Sequence, residues 1–225
     1  VGVNHTYTSS GAIGYFSRQL ARKGFIGFVC VGNGSFAFVA PDGSAEAKLG
    51  TNPFSYAFPY NGGEVVFDNA TADMAYFGIV EAKLKGEPLP VGIGFDRDGN
   101  PSTDAAAVLD GSASTFAGHK GFGLSLFVQL LGGPFSLAGI PGANEEDGAG
   151  TFVLAIDPGL LAGKDEFLKR STELVEQMKS AKPLPGQEVH LPGEQGDAVA
   201  KEAEEKGEIE IADAIWNELV NFVEE

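Results

Sequence analysis

The apolar run FIGFVCV at residues 25–31 restricts the fold of this 225-residue chain more than any other stretch. Continuous apolar sequence rich in β-branched and aromatic residues is typical of a strand buried on both faces. Directly before it, residues 11–24 place Ile13, Phe16 and Leu20 at helical spacing and end in a glycine, which predicts a helix. A helix that leads into a buried strand indicates alternating helices and strands, and therefore an α/β fold.

Further strand and helix patterns follow along the chain. Strands are predicted at FAFV, FSYAFP, EVVFDNAT and GTFVLAID, which are residues 36–39, 54–59, 64–71 and 150–157. Helices are predicted at 72–86 and 165–181, and also at 122–131, where sequence that is apolar nearly all round predicts a buried helix. Turn residues at 41–43 and 61–63 predict hairpins.

Chain length and the placement of Pro and Gly predict the domain organisation. A chain of 225 residues fits one large domain or two small ones. We expect a main α/β body at 1–180. The remainder, 181–225, is expected to be a Pro/Gly-rich connector followed by one charged-faced helix at 201–225 that packs on the body.

The charge balance limits the partners that the chain can bind. Fifteen Lys and Arg against 31 Asp and Glu give a net charge of -16, which repels a phosphate backbone and an anionic membrane surface. We therefore expect neither nucleic acid nor membrane as a partner. The single cysteine, Cys30, excludes an internal disulfide and is expected to be a buried, inert thiol, which suits a reducing, cytoplasmic location.

Several familiar motifs are absent or stand in the wrong context. Residues 32–37 match G-x-G-x-x-A after a strand, but strand-like sequence and a proline turn follow where a Rossmann fingerprint requires a helix. The polar tip at 96–100 lacks the third oxygen ligand before the glycine and the glutamate at the loop end that a calcium loop requires. The chain has no P-loop, H-E-x-x-H, C-x-x-C or G-x-S-x-G motif, and no metal site is predicted.

Two places in the chain suggest chemistry. His119 and Lys120 lie among glycines just before the apolar helix, where backbone N–H groups and the lysine charge favour an anion; a solvated loop is the alternative. His5 precedes a run of hydroxyl residues and could exchange a proton with a substrate hydroxyl or carbonyl; a structural histidine is the alternative.

Taken in order, the motifs of this chain resemble one enzyme family. They are Asn4-His5 before a Gly-rich helix start, RKGFIGFV, LGTNPFSYAFP at 49–59, VVFDNATADMAYFGIVEAKLKGEPLP at 65–90, GHKGFGLSLFVQLLGG at 118–133 and HLPGE at 190–194. The sequence is similar to the malate/L-lactate dehydrogenases of the second, non-Rossmann type, which include sulfolactate, ureidoglycolate and diketogulonate oxidoreductases. The combination of GTNP, GHKG and LPGE in this order is more specific for the family than any one of these motifs alone.

The resemblance implies a fold, an activity and a set of site residues. The fold would be a non-Rossmann NAD(P)-binding mixed sheet of the sulfolactate-dehydrogenase-like type with packed helices, and the assembly a homodimer. The body at 1–180 would bind NAD or NADP together with a 2-hydroxy or 2-oxo acid. His5 would be the catalytic residue, and the cofactor would contact Asp68, Asn69, His119, Lys120, Gly121, Gly193 and Glu194.

The chain also departs from the family pattern. Thr6 follows His5 where the family commonly has an aromatic residue and then a glycine. The family's N-terminal Ser-His-Gly segment and nearby arginine are missing, and Arg18, Arg22 or Lys48 would have to replace that arginine. Two functions therefore stay open: a complete oxidoreductase, or a dinucleotide-binding portion that needs a separate N-terminal segment or partner. A noncatalytic acidic partner protein is a third alternative.

Overall fold

The computed structural model describes residues 1–143, 148–161 and 163–224. The strands are β1 (Gly2–Thr6), β2 (Ile26–Gly32), β3 (Phe54–Tyr60), β4 (Gly63–Asn69), β5 (Gly94–Phe95), β6 (Pro101–Ser102), β7 (Ser112–Ala113) and β8 (Ala149–Ile156). The α-helices are α1 (Gly14–Arg22), α2 (Tyr76–Lys85), α3 (Ala105–Asp110), α4 (His119–Gly132), α5 (Lys164–Lys179), α6 (Glu194–Lys206) and α7 (Asp213–Glu224).

Two sheets form the frame of the molecule. The larger has the strand order β1-β8-β2-β3-β4, and the smaller has the order β6-β5-β7. The predicted α/β class is confirmed, and β2 lies at the centre of the larger sheet as its apolar sequence predicts. A mixed sheet was expected, yet the named strands pair only antiparallel, and the parallel pairing seen among the described residues is an isolated bridge between Val39 and Ala113.

Helix α1 covers one face of the larger sheet. Ile13, just before the helix, packs against Val29 and Val31 of β2. The hydroxyls of Ser17 and Ser55, both fully buried, hydrogen-bond at 2.5 Å. Burying two hydroxyls against each other satisfies both, so the helix sits on the sheet without an unpaired polar group at this point.

A second core lies around the smaller sheet and α2. Its buried members come from the loop after β2, from α2 and α3 and from the segments between them. They are Phe38, Val39, Leu49, Ala72, Ile79, Leu89, Ile93, Ala105, Val108 and Ala113. The described residues thus build one core around the smaller sheet and another beneath α1, where Ala21, Ala57 and Val66 form a further buried cluster. The ends of β2 and β4 and the loop after β2 lie between the two.

Three glycines bring α4 against the backbone of the larger sheet. A Cβ at Gly132 would lie 2.1 Å from the backbone nitrogen of Gly32, and a Cβ at Gly150 would lie 2.1 Å from the carbonyl oxygen of Gly132. Real Cβ atoms do not approach backbone so closely, so this crossing requires glycine on both strands and on the helix. The position of α4 is therefore fixed by contact between backbones.

Several sequence-based predictions were wrong in detail. Residues 36–39 form no strand, and Val39 contributes only isolated bridges to Leu49 and Ala113. The hairpin predicted at 41–43 is reduced to the antiparallel bridge between Val39 and Leu49, whereas the turn at 61–63 joins β3 and β4 as expected. The single helix predicted at 201–225 is two helices, α6 and α7.

Two predictions about burial had opposite outcomes. Cys30 is fully buried, and burial raises the pKa of its thiol to about 12, which confirms an inert thiol. Helix α4 was expected to be buried all round, but Leu126, Phe127 and Leu130 are each about half exposed. Within the described ranges, no helix is long and apolar enough to cross a bilayer.

The glycine crossing predicts opposite effects for two alanine substitutions in α4. Gly132→Ala forces a methyl group into backbone and should lower the free energy of unfolding by about 1–3 kcal/mol or more. Gly123→Ala is the matched control because a Cβ there meets nothing within 4 Å. It should raise stability by about 0.5–1 kcal/mol through helix propensity. Urea unfolding measures both, and equal effects would show that α4 does not approach the sheet this closely.

Candidate active site

A cleft of about 530 Å³ opens where the two cores meet. The segment 6–11 forms one wall, and the loop after β2 and the residues Thr51, Asn52 and Pro53 form the base. The end of β4 and the start of α2 close the remaining side. This volume is within the range of small-molecule and cofactor sites, which are about 300–1,000 Å³.

The cleft has one polar side and one aromatic side. Hydroxyl groups of Thr6, Thr8, Ser9 and Ser10 line the segment between β1 and α1. Aromatic rings come from Phe36, Tyr76 and Phe77, and the first two are in edge contact with centroids 5.6 Å apart. Hydroxyls can orient polar substituents while ring faces exclude water, which suits a planar, partly polar ligand.

Asp68 at the end of β4 joins the cleft to α1. Its Oδ2 accepts a hydrogen bond of 2.7 Å from the backbone N–H of Gly14, the first residue of that helix. Loss of solvent raises the pKa of the Asp68 carboxyl, and the hydrogen bond from Gly14 opposes part of that rise. The carboxylate therefore caps a helix from another element while it lines the cleft.

Asn52 connects the base of the cleft to α4. It is fully buried and has a backbone φ of +41°, a region that few residues other than glycine adopt. Its side-chain amide donates to the carbonyl of Ser125 at 3.1 Å, and its Oδ1 accepts from the N–H of Asn33 at 3.3 Å. The hydroxyl of Thr71 donates to its backbone carbonyl at 3.0 Å. Asn52 thus ties the loop after β2 and the segment after β4, which both contribute to the cleft, to helix α4 beneath them.

His5, the predicted catalytic residue, lies beside the cleft. Its side chain is exposed and is absent from the cleft lining, whereas the next residue, Thr6, lines the cleft and donates to the carbonyl of Ala149 at 2.9 Å. The pairing of β1 with β8 shifts register between Val3 and Thr6, and His5 has a φ of +55° within that irregularity. Its catalytic role stays a prediction.

His119 and Lys120 are the first two residues of α4, as expected for a helix-start site, and both are exposed. Gly118 before them lines a second cavity of about 290 Å³, which Asp42 and Asp73 also line. Gly121 has a packing role, because a Cβ there would lie 2.0 Å from the carbonyl oxygen of Phe116. The N-terminus of α4 therefore faces a cavity with two carboxylates on its walls.

Gly193 and Glu194 lie against β4. Gly193 has a φ of +98°, and a Cβ there would be 2.9 Å from the carbonyl oxygen of Val66. Glu194 pairs with Lys179 and accepts the N–H of Leu191 at 2.9 Å. These hydrogen bonds, the one from Lys179 first, lower the pKa of Glu194. Both carboxylate oxygens of Glu194 are therefore occupied by contacts within the chain.

The predicted site residues form three groups. Asp68, Asn69, Gly193 and Glu194 lie on β4 or against it, His119, Lys120 and Gly121 lie at the start of α4, and His5 lies in β1. Segment 68–73 connects the two cavities, because Asp68 and Ala70 line the cleft and Asp73 lines the smaller cavity.

The three cations proposed as substitutes for the family's arginine are engaged elsewhere. Arg18 pairs with Asp197 at 2.5 Å, Arg22 with Glu64 at 3.1 Å, and Lys48 with Glu46. None of them lines the cleft, and neither does any other Lys, Arg or His of the described residues. Among those residues, no group of three or more His, Cys, Asp or Glu side chains is arranged to hold a metal ion.

Sequence reasoning did not identify Asn52 or the hydroxyl segment as parts of the site. A signal for each was present: Asn52 lies in GTNP, directly before a proline, and the hydroxyl residues fill the gap between β1 and α1. Their location in a cleft depends on contacts with Ser125 and with β8, which are distant in sequence.

Comparison with known proteins gives a consistent result. A family model described as malate/L-lactate dehydrogenase matches residues 1–220. L-sulfolactate dehydrogenase of Methanocaldococcus jannaschii is 35% identical over 233 residues, which is 100% of this chain and 67% of the relative. Ureidoglycolate dehydrogenase (NAD(+)) of Escherichia coli is 32% identical over 225 residues, which is 94% of this chain and 62% of the relative.

Solved structures agree with the sequence matches. A dehydrogenase from Sinorhizobium meliloti superposes with a TM-score of 0.88 at 28% identity, covering 98% of this chain and 65% of its own. Sulfolactate dehydrogenase from Methanocaldococcus jannaschii superposes with a TM-score of 0.82 at 32% identity, covering 97% of this chain and 64% of its own. The chain therefore spans about two thirds of the length of these relatives.

Substitutions at Asp68 test its contact with α1. Asp68→Ala removes the acceptor of the Gly14 N–H and should cost about 1 kcal/mol of unfolding free energy, as loss of a helix cap does. Asp68→Asn keeps an oxygen acceptor and should stay within about 0.5 kcal/mol of wild type at neutral pH. Asp110→Ala, at an exposed pair with Arg97, is the control and should also change little.

The same variants have a defined pH dependence. The folded state raises the pKa of Asp68 above the unfolded value, so the folded protein binds the proton more readily. Wild type should therefore gain stability relative to Asp68→Asn as pH falls from neutral through the folded-state pKa. Urea unfolding at a series of pH values measures the difference, and a gain in the opposite direction would contradict the burial of this carboxyl.

Proposed function

This chain belongs to the malate/L-lactate dehydrogenase family. We propose that it functions as an NAD(P)-dependent oxidoreductase that interconverts a 2-hydroxy acid and a 2-oxo acid. The observation that carries the proposal is the cleft of about 530 Å³, because two of the family-like motifs meet in it. Thr51, Asn52 and Pro53 come from GTNP and Asp68 from VVFDN.

The residues around the cleft fit a dinucleotide in their chemistry. Aromatic rings of Tyr76 and Phe77 offer apolar surface for a nicotinamide ring, and hydroxyls of segment 6–10 offer partners for its amide and ribose. The start of α4, with its helix dipole and Lys120, would supply positive potential for phosphates, and Asp42 and Asp73 on the walls of the adjoining cavity would oppose part of it. Asn69, His119, Gly121, Gly193 and Glu194 remain proposed members of this site.

The proposed chemistry divides between cofactor and protein. A bound nicotinamide supplies or accepts the hydride. The hydroxyls of Thr6, Thr8 and Ser9 orient the substrate, while the aromatic wall excludes water from it. We retain His5 as the residue that exchanges the alcohol proton, because it adjoins Thr6 and histidine titrates near working pH.

One observation favours the second candidate function, a dinucleotide-binding portion without complete catalysis. A 2-oxo acid carries a carboxylate, and binding such a group usually takes a cation. No Lys, Arg or His of the described residues lines the cleft. In this alternative, another part of the protein or a partner supplies that cation.

Three further expectations remain proposals. The division into a body at 1–180 and a C-terminal part at 181–225 is one of them, and the pairs Arg18–Asp197 and Lys179–Glu194 support the packing of the second part on the first. A cytoplasmic location and a homodimer are also proposed. Comparing the affinities for NADH and NADPH decides which of the two cofactors the chain prefers.

Cofactor binding tests the start of α4. Titration of the 225-residue chain with NADH and NADPH, followed by nicotinamide fluorescence, should show saturable binding of at least one of them. Lys120→Met removes a charged contact and should raise the dissociation constant about tenfold or more.

Lys201→Met is the control for the loss of a positive charge. Lys201 is exposed on α6, with only a 3.8 Å pair to Glu205. This variant should bind like wild type. Unchanged affinity in Lys120→Met would remove Lys120 from the site, and the absence of binding by the wild type would contradict both candidate functions.

Turnover separates the two candidate functions. Oxidation of NADH or NADPH by the chain is measured against a panel of 2-oxo acids and cyclic imino acids as the loss of nicotinamide absorbance. Turnover with any member supports a complete oxidoreductase, and binding without turnover supports the incomplete portion.

If the chain turns over, His5→Gln should lower kcat by about 10²–10⁴-fold, as loss of a general acid or base does. Its affinity for NADH should equal that of wild type, and Lys201→Met again serves as the control. An active His5→Gln variant would assign proton transfer to another group, and the two tyrosines of the cleft lining, Tyr7 and Tyr76, are the candidates.

A further inference from the structure

The charge inside the cleft comes from one carboxylate. Among the described residues, Asp68 is the one charged group of the lining, and the others are hydroxyl, amide, aromatic or aliphatic. Residues 144–147, 162 and 225, which lie outside the described ranges, include no Lys, Arg or His. The charge that this chain contributes to the cleft is therefore negative.

The surroundings of Asp68 favour its ionised form at neutral pH. Its Oδ2 accepts the backbone N–H of Gly14 at 2.7 Å, and an N–H group can only donate. Gly14 is the first residue of α1, so the positive end of the helix dipole also favours a negative charge here. None of the ion pairs in the described part of the chain includes Asp68. Its charge therefore acts on the cleft without a cation beside it.

The hydroxyl segment of the cleft supplies hydrogen-bond donors for one anionic group. The hydroxyl of Ser9 accepts the N–H of Gly11 at 3.3 Å, which leaves its own O–H to donate. Thr8 and Ser10 also line the cleft, and neither forms a hydrogen bond within the described part of the chain. Each hydroxyl can donate one hydrogen bond. Together these neighbouring residues can hold the single carboxylate that every 2-oxo acid carries.

A second anionic group on the substrate would meet the charge of Asp68. A cleft of about 530 Å³ is roughly 10 Å across, which limits how far the two charges can be from each other. At an effective dielectric constant of about 20, repulsion between like charges over roughly 10 Å lowers a binding constant by at least about tenfold. The net charge of -16 acts in the same direction over longer distances. An uncharged side chain avoids both effects.

The aromatic side of the cleft favours an apolar side chain over a polar one. Phe36 and Phe77 both line the cleft, yet they are 46% and 65% exposed. Phe36 is in edge contact with Tyr76, so its ring has a defined position from which to contact a ligand. Removing exposed ring surface from water is favourable, and an aliphatic group on the substrate does so without losing hydrogen bonds of its own.

We propose that the cleft selects 2-oxo acids with an uncharged, apolar side chain, and that Asp68 is the residue that rejects a second anionic group. The inference rests on the proposed function, because it names the substrate class of the same site. The selective role of Asp68 is additional to its proposed contact with the cofactor. It acts through charge, so the ratio of two substrates reveals it even where the cofactor affinity of a variant changes.

The test compares three 2-oxo acids whose side chains have nearly the same shape. They are 4-methyl-2-oxopentanoate, which is apolar, 2-oxosuccinamate, which is polar and uncharged, and oxaloacetate, which carries a second carboxylate. With one reduced cofactor held constant, kcat/KM for the amide should exceed that for oxaloacetate by about tenfold or more. The apolar acid should be at least as good a substrate as the amide. Added salt should narrow the first ratio only in part, because it screens the distant charges more than Asp68.

Three variants assign the selectivity to the cleft. Asp68→Asn should lower the ratio of amide to oxaloacetate by about tenfold, because the repelling charge is gone. Asp110→Asn is the matched control, since it removes the same charge from an exposed pair with Arg97 and should keep the wild-type ratio. Ser10→Lys places a cation in the hydroxyl segment and should shift the ratio toward oxaloacetate by at least about tenfold. Circular dichroism and thermal melting show whether each variant is folded.

The outcomes separate this inference from the proposed function. Equal kcat/KM for the amide and oxaloacetate, or equal ratios in Asp68→Asn and Asp110→Asn, would overturn the inference while turnover itself still supports an oxidoreductase. If the chain does not turn over, calorimetric titration of the NADH-saturated chain with the three acids should give the same order of affinities. Binding of NADH but of none of the acids would overturn the inference and support the incomplete portion. A chain that binds no cofactor would contradict the proposed function and the inference with it.

Discussion

The contact between the backbones of Gly32, Gly132 and Gly150 fixes the position of α4 and, through that helix, the cleft and the outer surface of the molecule. At this crossing, the backbone of α4 lies directly against the backbone of β2 and β8. Close approach leaves little room on the side of α4 that faces the sheet, where Ser125, Val128 and Gln129 are buried, and Leu126, Phe127 and Leu130 are left about half exposed. The position of the helix start, and with it the position of His119 and Lys120, depends on the same contact.

Asn52 connects the base of the cleft to helix α4. Its amide is bonded to Ser125 on the buried side of α4, so the base of the cleft is held by the helix that the glycines position. The strained backbone of Asn52 is compatible with folding because the hydrogen bonds that it accepts from the N–H of Asn33 and the hydroxyl of Thr71 hold it in place. A cleft built in this way is fixed before any ligand arrives, which reduces the entropy that binding must overcome.

The candidate site lies at the junction of two cores, and each core contributes a different chemistry. The larger sheet provides the hydroxyl segment and Asp68, and the smaller core provides the aromatic wall at the start of α2. Neither part contributes a cation among its described residues.

The sequence by itself determined the local elements and the family. Periodicity predicted α1, α2, α5 and the β3–β4 hairpin, because the spacing of apolar residues records which side of each element is buried. Ordered motifs identified the relatives without any coordinates. The sequence also marked α4 as apolar, but hydropathy cannot show whether its own chain or another surface covers a helix.

Only the tertiary structure decided the strand pairing, the lining of the cleft and the exposed side of α4. Antiparallel pairing of β2 with β8 joins residues more than one hundred positions apart, and no local pattern encodes such a partner. His5 and Thr6 are neighbours in sequence, yet only Thr6 lines the cleft, because a register shift in β1 sets their directions. Side-chain direction and glycine contacts are products of packing, and packing exists only once the whole chain has folded.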